Sequence, residues 1–158
     1  MTKSADLPYR PCAGVMLLNH SRQVFVGQRM DSSSEAWQMP QGGIDKDEDA
    51  ESAAFRELEE ETGIAPAKTS LIARASRELQ YDLPDELIGK IWKGRYRGQR
   101  QSWFLARFEG ADSDVNIETD HQEFRAWKWA DPLELPRMIV PFKKRLYKQL
   151  LAEFSDYL

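Results

Sequence analysis

One glutamate-rich stretch, GGIDKDEDAESAAFRELEEETGI at residues 42–64, constrains this chain more than any other segment. The glycines at its start predict a break in regular structure, and the residues after them predict a helix that begins near Asp47 or Glu48. Gly63 suits the C′ position of this helix, and Pro66 prevents its continuation. The chain must therefore pack one strongly acidic helix against the rest of its fold.

The acidic residues of this helix are not spread evenly around it. At about 100° per residue, Glu57, Glu60 and Glu61 share a face with three alanines, whereas Glu59 lies on the opposite side. Like charges at this spacing cost about 0.2–0.5 kcal/mol per pair, and the C-terminal end of a helix favours cations. A solvated acidic face is the ordinary explanation of a charge run, but a cluster that bears both costs also suggests a bound cation.

The available ligands indicate which cation this would be. Carboxylate oxygens favour a hard metal, Mg²⁺ or Mn²⁺, and the single cysteine and two distant histidines, His20 and His121, do not have zinc spacing. Mg²⁺ usually completes its shell with water and substrate phosphate oxygens, so the chemistry would be attack of water on phosphorus. Gly42 and Gly43 would let the backbone approach the metal or phosphate, although an ordinary turn also explains them.

Strand patterns lie on both sides of the acidic helix. The predicted strands are residues 13–18, 23–29, 101–108 and 124–129, and residues 69–81 are expected to be extended. Residues 30–36 and 88–98 are expected to be loops, and a closing helix from Pro141 carries an apolar stripe of Phe142, Leu146, Leu150 and Phe154. This order predicts a layered α/β or α+β domain. The 158 residues suit one domain, with residues 1–10 as a loose polar arm.

The composition excludes several classes of protein. A formal charge of -4 excludes a bulk-basic protein that coats DNA, although a local basic patch could still bind nucleic acid. The longest apolar run, residues 15–18, is too short to span a bilayer, and the polar first residues lack the apolar core of a signal peptide. Cys12 cannot form an internal disulfide and is expected to be a small core residue. We therefore expect a cytoplasmic, soluble protein that binds neither DNA nor a membrane.

The acidic helix and the glycines before it match a known pattern. Written as Gly42-x5-Glu48-x7-Arg56-Glu57-Leu58-x-Glu60-Glu61-x-Gly63-Ile64, the segment resembles the Nudix box of the Nudix hydrolases. The resemblance implies an α/β/α sandwich with a mixed β-sheet, and cleavage of a nucleoside diphosphate linked to another group. It also implies a set of metal ligands, namely the carboxylates of Glu57, Glu60 and Glu61 and the carbonyl of Gly43.

The residues around this box narrow the resemblance to a subgroup. WQMPQGGI at residues 37–44 resembles a stretch shared by bacterial RNA pyrophosphohydrolases and asymmetrically cleaving dinucleoside polyphosphate hydrolases. The implied substrate is 5′-triphosphorylated RNA, whose loss of pyrophosphate promotes mRNA decay, or a dinucleoside polyphosphate such as diadenosine tetraphosphate. We favour the RNA substrate. A nucleotide-sensing module without catalysis is a remoter alternative, because such a module can lose the catalytic glutamates that are all present here.

Three further residues complete the predicted catalytic set. Glu48 and Arg56 resemble the pair that braces the loop against the helix, and Arg56 is also spaced to pair with Glu60 at i,i+4. Glu123 is the candidate general base, because apolar neighbours in the strand at 124–129 would partly desolvate it and raise its pKa. A surface carboxylate at a strand end is the alternative.

Several residues outside the acidic helix are expected to contact the substrate: Arg29, Gln41, Gly42, Tyr81, Phe142 and Lys143. Arg29 would reach the 5′ phosphates or stack on a base, unless it is an ordinary surface arginine. Tyr81 resembles a substrate-side tyrosine of the subgroup but also suits the edge of a core. Phe142 would stack on a base, although its stripe position equally predicts core, and Lys143 would face the cleft as a cation.

Basic and aromatic side chains are interleaved over residues 90–103. The basic residues are Lys90, Lys93, Arg95, Arg97 and Arg100, and the aromatic ones are Trp92, Tyr96 and Trp103. This mixture suits single-stranded RNA, through phosphate contacts and stacking. A solvated loop with one or two anchoring aromatics explains it equally well.

Overall fold

The computed structural model describes residues 6–30 and 35–158, where helices lie against an eight-stranded sheet. The strands are β1 (Tyr9–Leu18), β2 (Val24–Arg29), β3 (Trp37–Gln38), β4 (Gln41–Gly43), β5 (Thr69–Arg74), β6 (Leu79–Asp82), β7 (Gly98–Phe108) and β8 (Phe124–Ala130). The α-helices are α1 (Ala50–Thr62), α2 (Leu135–Met138) and α3 (Lys144–Glu153). Residues 31–34 of the predicted loop at 30–36 lie outside the described residues.

The sheet is mixed because its two longest strands run in the same direction. β1 and β7 pair in parallel from Tyr9 opposite Gly98 to Leu18 opposite Arg107. The other pairings among the described strands are antiparallel, with the order β3-β2-β1-β7-β5 and with β4 on β1, β6 on β7 and β8 on β2. The predicted α/β fold with a mixed sheet is confirmed.

Each face of the sheet carries its own apolar core. Because successive strand residues point to opposite faces, β1 contributes to both. The core under α1 includes Ala13, Val15, Leu17, Ala53, Ala54, Leu58, Phe104 and Phe108. The core under α3 includes Met16, Leu18, Trp103, Leu105, Leu146, Tyr147 and Leu150. The sheet is thereby held between α1 on one side and α3 on the other.

The acidic helix α1 has defined caps at both ends. The Asp49 side chain accepts a hydrogen bond from the Ser52 backbone N–H at 2.7 Å, so the helix begins at Ala50. Asp47 has a φ of 66° and lies outside the helix, which makes the predicted start near residue 47 or 48 slightly early. Gly63 ends the helix with a φ of 72°, as predicted.

The predicted N-terminal arm is wrong at its last two residues. Tyr9 and Arg10 begin β1, where they pair with Gly98 and Gln99 of β7. The Tyr9 hydroxyl also donates to the Asp82 carboxylate at 2.6 Å. The sequence did not predict that these two residues belong to a strand, because their long parallel pairing with β7, and not local hydrophobicity, holds them in place.

Three other segments differ from their predictions. The expected break at 40–43 contains the short strand β4, which pairs with β1. The extended segment 69–81 consists of two strands, β5 and β6. Phe142 lies in a 3-10 turn before α3 and is half-buried, whereas the other stripe residues, Leu146, Leu150 and Phe154, are buried as predicted.

No helix among the described residues is long and apolar enough to cross a membrane.

Candidate active site

The acidic helix faces a cleft of about 220 Å³ that is built from several strand ends. The lining residues that the sequence predicted for a site are Arg29, Gln41, Gly42, Gly43, Glu57, Glu61, Glu123 and Lys143. The other lining residues are Arg10, Gln38, Trp92 and Gln99. The fold thus brings together residues from both halves of the chain around two acidic side chains of α1.

Arg56 ties the loop before α1 to the helix. Its Nε and Nη2 donate to the two Glu48 carboxylate oxygens at 2.8 and 2.9 Å, and this bonding lowers the pKa of Glu48. Nη2 also donates to the Gly43 carbonyl at 2.9 Å. Nη1 donates to Glu57 at 3.0 Å and to Glu60 at 3.2 Å. Both geometries foreseen for Arg56 therefore occur in one side chain.

The Glu57 carboxylate lies directly against the backbone of Gly42. A Cβ atom at position 42 would lie 2.2 Å from Glu57 Cδ, so any other residue there would displace the carboxylate. Desolvation raises the pKa of Glu57, and the Arg56 guanidinium acts in the opposite direction. Gly42 therefore lets the Glu57 carboxylate lie against the backbone, while the approach of this backbone to a metal or phosphate stays a prediction.

Glu61 is a carboxylate buried in the fold, with only 3% of its surface exposed. Burial raises its pKa well above the usual range, and the charges of Glu57 and Glu123 act in the same direction. Its Oε2 atom is buried and has no hydrogen-bond partner. Since an unpaired buried carboxylate oxygen is costly, this atom fits the role of a ligand to a cation.

Among the described residues, the carboxylates do not form a closed metal-binding cage. Over residues 6–30 and 35–158, no three acidic, histidine or cysteine side chains converge closely enough to hold an ion. Glu57 and Glu61 line the cleft, while the Glu60 carboxylate pairs with Arg56 beside it. These side chains offer carboxylate oxygens, which are the type of ligand that a hard divalent cation prefers. The ligand set of Glu57, Glu60, Glu61 and the Gly43 carbonyl stays a prediction.

Three cations line the cleft with these acids: Arg10, Arg29 and Lys143. Lys143 is buried, and its Nζ lies 5.2 Å from the centre of the Tyr81 ring. Burial lowers the pKa of Lys143 to about 8, and the charge of Arg29 acts in the same direction. The Arg10 guanidinium lies 5.7 Å from the centre of the Trp92 ring. The cleft is therefore suited to a strongly anionic ligand.

Glu123 lies at the cleft, but the desolvated environment predicted for it is wrong. Its side chain is exposed, because it precedes β8 and only its neighbour Phe124 turns into the core. The Glu123 carbonyl accepts a hydrogen bond from the Met30 backbone N–H at 2.8 Å, which holds it beside the end of β2. Its position at the cleft keeps it a candidate base, without the burial that was expected.

Tyr81 and Phe142 do not line the acidic cleft. They line a neighbouring pocket of about 430 Å³, where their ring centroids are 5.7 Å apart. Tyr81 is buried and belongs to the α3-side core, whereas Phe142 is half-buried. Lys143 lines the cleft and its ammonium lies over the Tyr81 ring, so it connects the cleft with a residue of this pocket.

The basic and aromatic residues at 90–103 fall into groups with different contacts. Trp92 lines the acidic cleft. Arg97 and Arg100 are paired with Asp82 at 3.3 Å and with Glu78 at 2.8 Å. Three of the basic residues are exposed and form no such pair with any residue that the structure describes: Lys90, Lys93 and Arg95. The structure therefore leaves about half of the stretch available to a ligand.

Sequence reasoning missed three polar residues of the cleft, Arg10, Gln38 and Gln99. Arg10 was assigned to the loose arm, and the two uncharged glutamines were given no role in the site, although Gln38 belongs to the WQMPQGGI stretch. One signal could have revealed Gln99: it alternates with Gln101 and Trp103 on one buried face of β7. Polar residues at every second position of a buried strand need hydrogen-bond partners.

Comparisons with known proteins agree with this geometry. A family model described as the NUDIX domain matches residues 8–150. An RNA pyrophosphohydrolase of Sphingopyxis alaskensis is 66% identical over 149 residues, covering 94% of each chain. An RNA pyrophosphohydrolase of Roseobacter denitrificans is 55% identical over 154 residues, covering 98% of this chain and 96% of the relative. A crystal structure of a C. elegans Ap4A hydrolase binary complex shares the fold, with a TM-score of 0.65 and 19% identity over 92% of this chain and 99% of that chain.

The matching family model and these relatives indicate an enzyme that hydrolyses phosphate anhydrides. The chain belongs to the Nudix family and is a pyrophosphohydrolase. Nudix hydrolases generally need divalent metal ions, which agrees with the unpaired Oε2 atom of Glu61.

Proposed function

We propose that this enzyme removes pyrophosphate from the 5′ end of triphosphorylated RNA. The observation that carries the proposal is a single cleft that holds two acids, Glu57 and Glu61, together with three cations, Arg10, Arg29 and Lys143. The acids are suited to a metal and the cations to a chain of phosphates. The names of the relatives from Sphingopyxis alaskensis and Roseobacter denitrificans support RNA as the substrate.

We assign the metal to Glu57, Glu60, Glu61 and the Gly43 carbonyl, with Mg²⁺ or Mn²⁺ as the ion. When bound, the metal neutralises phosphate charge and lowers the pKa of a water molecule. Arg56 holds this set together, because it bonds to both the Gly43 carbonyl and the Glu57 and Glu60 carboxylates. The carboxylates therefore keep their positions while substrate enters and product leaves.

The remaining residues of the cleft act on the water and the phosphates. Glu123 accepts a proton from the attacking water as the water oxygen bonds to phosphorus. The phosphoanhydride P–O bond then breaks, and pyrophosphate leaves with the bonding electron pair. Arg29 and Lys143 offset the charge on the phosphates during this step. The products are 5′-monophosphorylated RNA and pyrophosphate.

A direct comparison of substrates tests the proposal. Triphosphorylated RNA of several nucleotides and diadenosine tetraphosphate would be supplied at matched concentrations with Mg²⁺ or Mn²⁺. We expect a higher kcat/KM for the RNA, and complete loss of turnover in EDTA that added metal restores. Undiminished activity in EDTA would contradict the metal assignment. A higher kcat/KM for the dinucleotide would contradict the RNA assignment.

The exposed cations Lys90, Lys93 and Arg95 give a second test of RNA binding. Lengthening the RNA from one to several nucleotides should raise kcat/KM, since a longer chain can reach this loop. Neutralising the three residues should erode that gain and flatten its salt dependence, because fewer counterions are released. Lys68, which pairs with Asp114 outside the cleft, is the matched control for loss of surface charge. A triple variant that keeps the full length dependence would show that the loop is only solvated.

A dinucleoside polyphosphate is the second candidate substrate. The half-buried Phe142 ring beside the cleft favours it, because this ring, held against Tyr81, could stack on a second base near the phosphates. The same substrate comparison decides between the two candidates. On the RNA assignment, we further propose a cytoplasmic role in mRNA decay.

A further inference from the structure

A chain of buried hydrogen bonds leads from the core to the active-site cleft. The indole Nε1–H of Trp103 donates to Gln101 Oε1 at 2.8 Å. Gln101 Nε2 donates to Gln99 Oε1 at 2.6 Å and, more weakly, to Gln41 Oε1 at 3.4 Å. Trp103, Gln101 and Gln99 are each at most 2% exposed, whereas Gln99 and Gln41 also line the cleft.

The direction of every bond in this chain follows from its first member. An indole N–H can only donate, so the atom that Gln101 turns toward Trp103 must be its carbonyl oxygen. The amide of Gln101 then presents its NH₂ group, which carries two hydrogens, to Gln99 and Gln41. Both of these residues must accept through Oε1. A side-chain amide that could otherwise flip is thereby held in one orientation.

The consequence lies at the cleft, where the chain ends. Once Oε1 of Gln99 and of Gln41 is used, each residue is left with an Nε2 group as its free donor. Neither Nε2 donates to another residue in the described part of the chain. Two N–H donors on the wall of an anion-binding cleft favour phosphate oxygens, whereas two carbonyl oxygens in the same place would repel them.

We propose that Trp103 is a positioning residue that orients the Gln99 and Gln41 amides as phosphate donors. This inference rests on the proposed function only for the identity of the ligand, the polyphosphate of the substrate. Gly14 supports the proposal independently, because its lack of a side chain lets the Trp103 indole and Gln41 both pack closely against the backbone there. A Cβ atom at Gly14 would lie 2.7 Å from two atoms of the Trp103 ring and 2.9 Å from Gln41 Cβ.

Trp103→Phe tests the proposal by removing the N–H while keeping an aromatic ring. The measurement is calorimetric titration with inorganic pyrophosphate in the presence of Mg²⁺. If the donor orientation falls to about a tenth of the molecules, the apparent Kd rises about ten-fold. The KM for RNA should rise with it, while kcat changes little, because the lost contact serves ground state and transition state alike. Trp129→Phe is the matched control, since its Nε1 donates to Asp112 at 2.9 Å outside the cleft lining, and it should bind like wild type.

A double-mutant cycle separates positioning from a loss of core packing. In a Gln99→Ala, Gln41→Ala background the amides are gone, so Trp103→Phe should weaken pyrophosphate binding by less than about two-fold further. The same ten-fold loss in both backgrounds would overturn the proposal, because it would show that the indole acts through the fold alone. Wild-type affinity in the Trp103→Phe variant would also overturn it. If the double-mutant cycle shows this coupling in pyrophosphate binding but the wild-type enzyme does not hydrolyse RNA, the proposed function is contradicted and this inference stands.

Discussion

The substitution Glu61→Gln tests whether Glu61 is a buried metal ligand or an ordinary core carboxylate. Glu61 Oε2 has no hydrogen-bond partner, and burial raises the pKa of this side chain well above its usual range. In a chelator at neutral pH, the folded protein either holds an unpaired charge or takes up a proton. Glutamine keeps the shape without the charge, so the metal-free variant should be more stable by about 1–3 kcal/mol. For a chain of this length, each kcal/mol corresponds to about 2–4 °C in melting temperature.

The pH dependence of this difference has a definite sign. Because the folded pKa of Glu61 is raised above the unfolded value, its destabilising effect is present at high pH. The effect disappears as the pH falls toward the unfolded pKa of about 4, where the carboxyl is protonated in both states. Metal at ten times its Kd should narrow the difference, since it stabilises the wild type by about 1.4 kcal/mol and the variant by much less. At about a thousand times its Kd, where the stabilisation of the wild type is about 4.1 kcal/mol, the ranking should reverse. Thermal melting in EDTA and in Mg²⁺, across this pH range, measures both effects.

Glu59→Gln is the matched control for this experiment. Glu59 lies on the exposed face of the same helix, so this variant should melt and turn over substrate like the wild type. The reasoning is refuted if Glu61→Gln melts below the wild type in EDTA. It is equally refuted if Mg²⁺ stabilises that variant as much as the wild type.

Three other substitutions test separate parts of the cleft. Glu123→Gln should lower kcat by about 10²–10⁴-fold with little change in KM, and an unchanged steady-state rate would return this residue to a surface role. The value of kcat/KM should decrease above about pH 8, which forms the alkaline limb of the pH profile, because Lys143 is charged below its pKa of about 8 and neutral above it. Lys143→Met should lower kcat/KM and remove that limb from the pH profile; a limb that persists would assign it to another group. Gly42→Ala should displace the Glu57 carboxylate and abolish metal-induced stabilisation in melting experiments, and a variant that Mg²⁺ stabilises as much as the wild type would contradict this.

The acidic helix could be predicted from the sequence because its determinants are local. The 3.6-residue period alone puts Glu59 on the face opposite Glu57, Glu60 and Glu61, and the structure leaves Glu59 exposed. The C-terminal end at Gly63 was also predicted, since a left-handed residue after the last turn favours glycine. The mixed-sheet sandwich followed from the resemblance that this helix supports.

Differences among the three glutamates came only from the tertiary structure. Their helical phase is similar, yet Glu61 is buried with 3% of its surface exposed, because other elements pack against its side chain. The Arg56–Glu60 pair, by contrast, lies within the helix and was predicted from the i,i+4 spacing. The same holds for Lys143, whose pKa is lowered by burial and by the charge of Arg29, and whose ammonium lies over the Tyr81 ring, all through other elements of the fold.

Residues distant in sequence entered the site through strand register. Arg10 reaches the cleft beside Gln99 because β1 and β7 pair in parallel, a contact between segments almost ninety positions apart that no local pattern encodes. Glu123 stayed exposed for a related reason, since only the following residue, Phe124, turns into the core. Short-range periodicity and caps determined the acidic face of the helix, whereas long-range pairing and burial decided which charges oppose it.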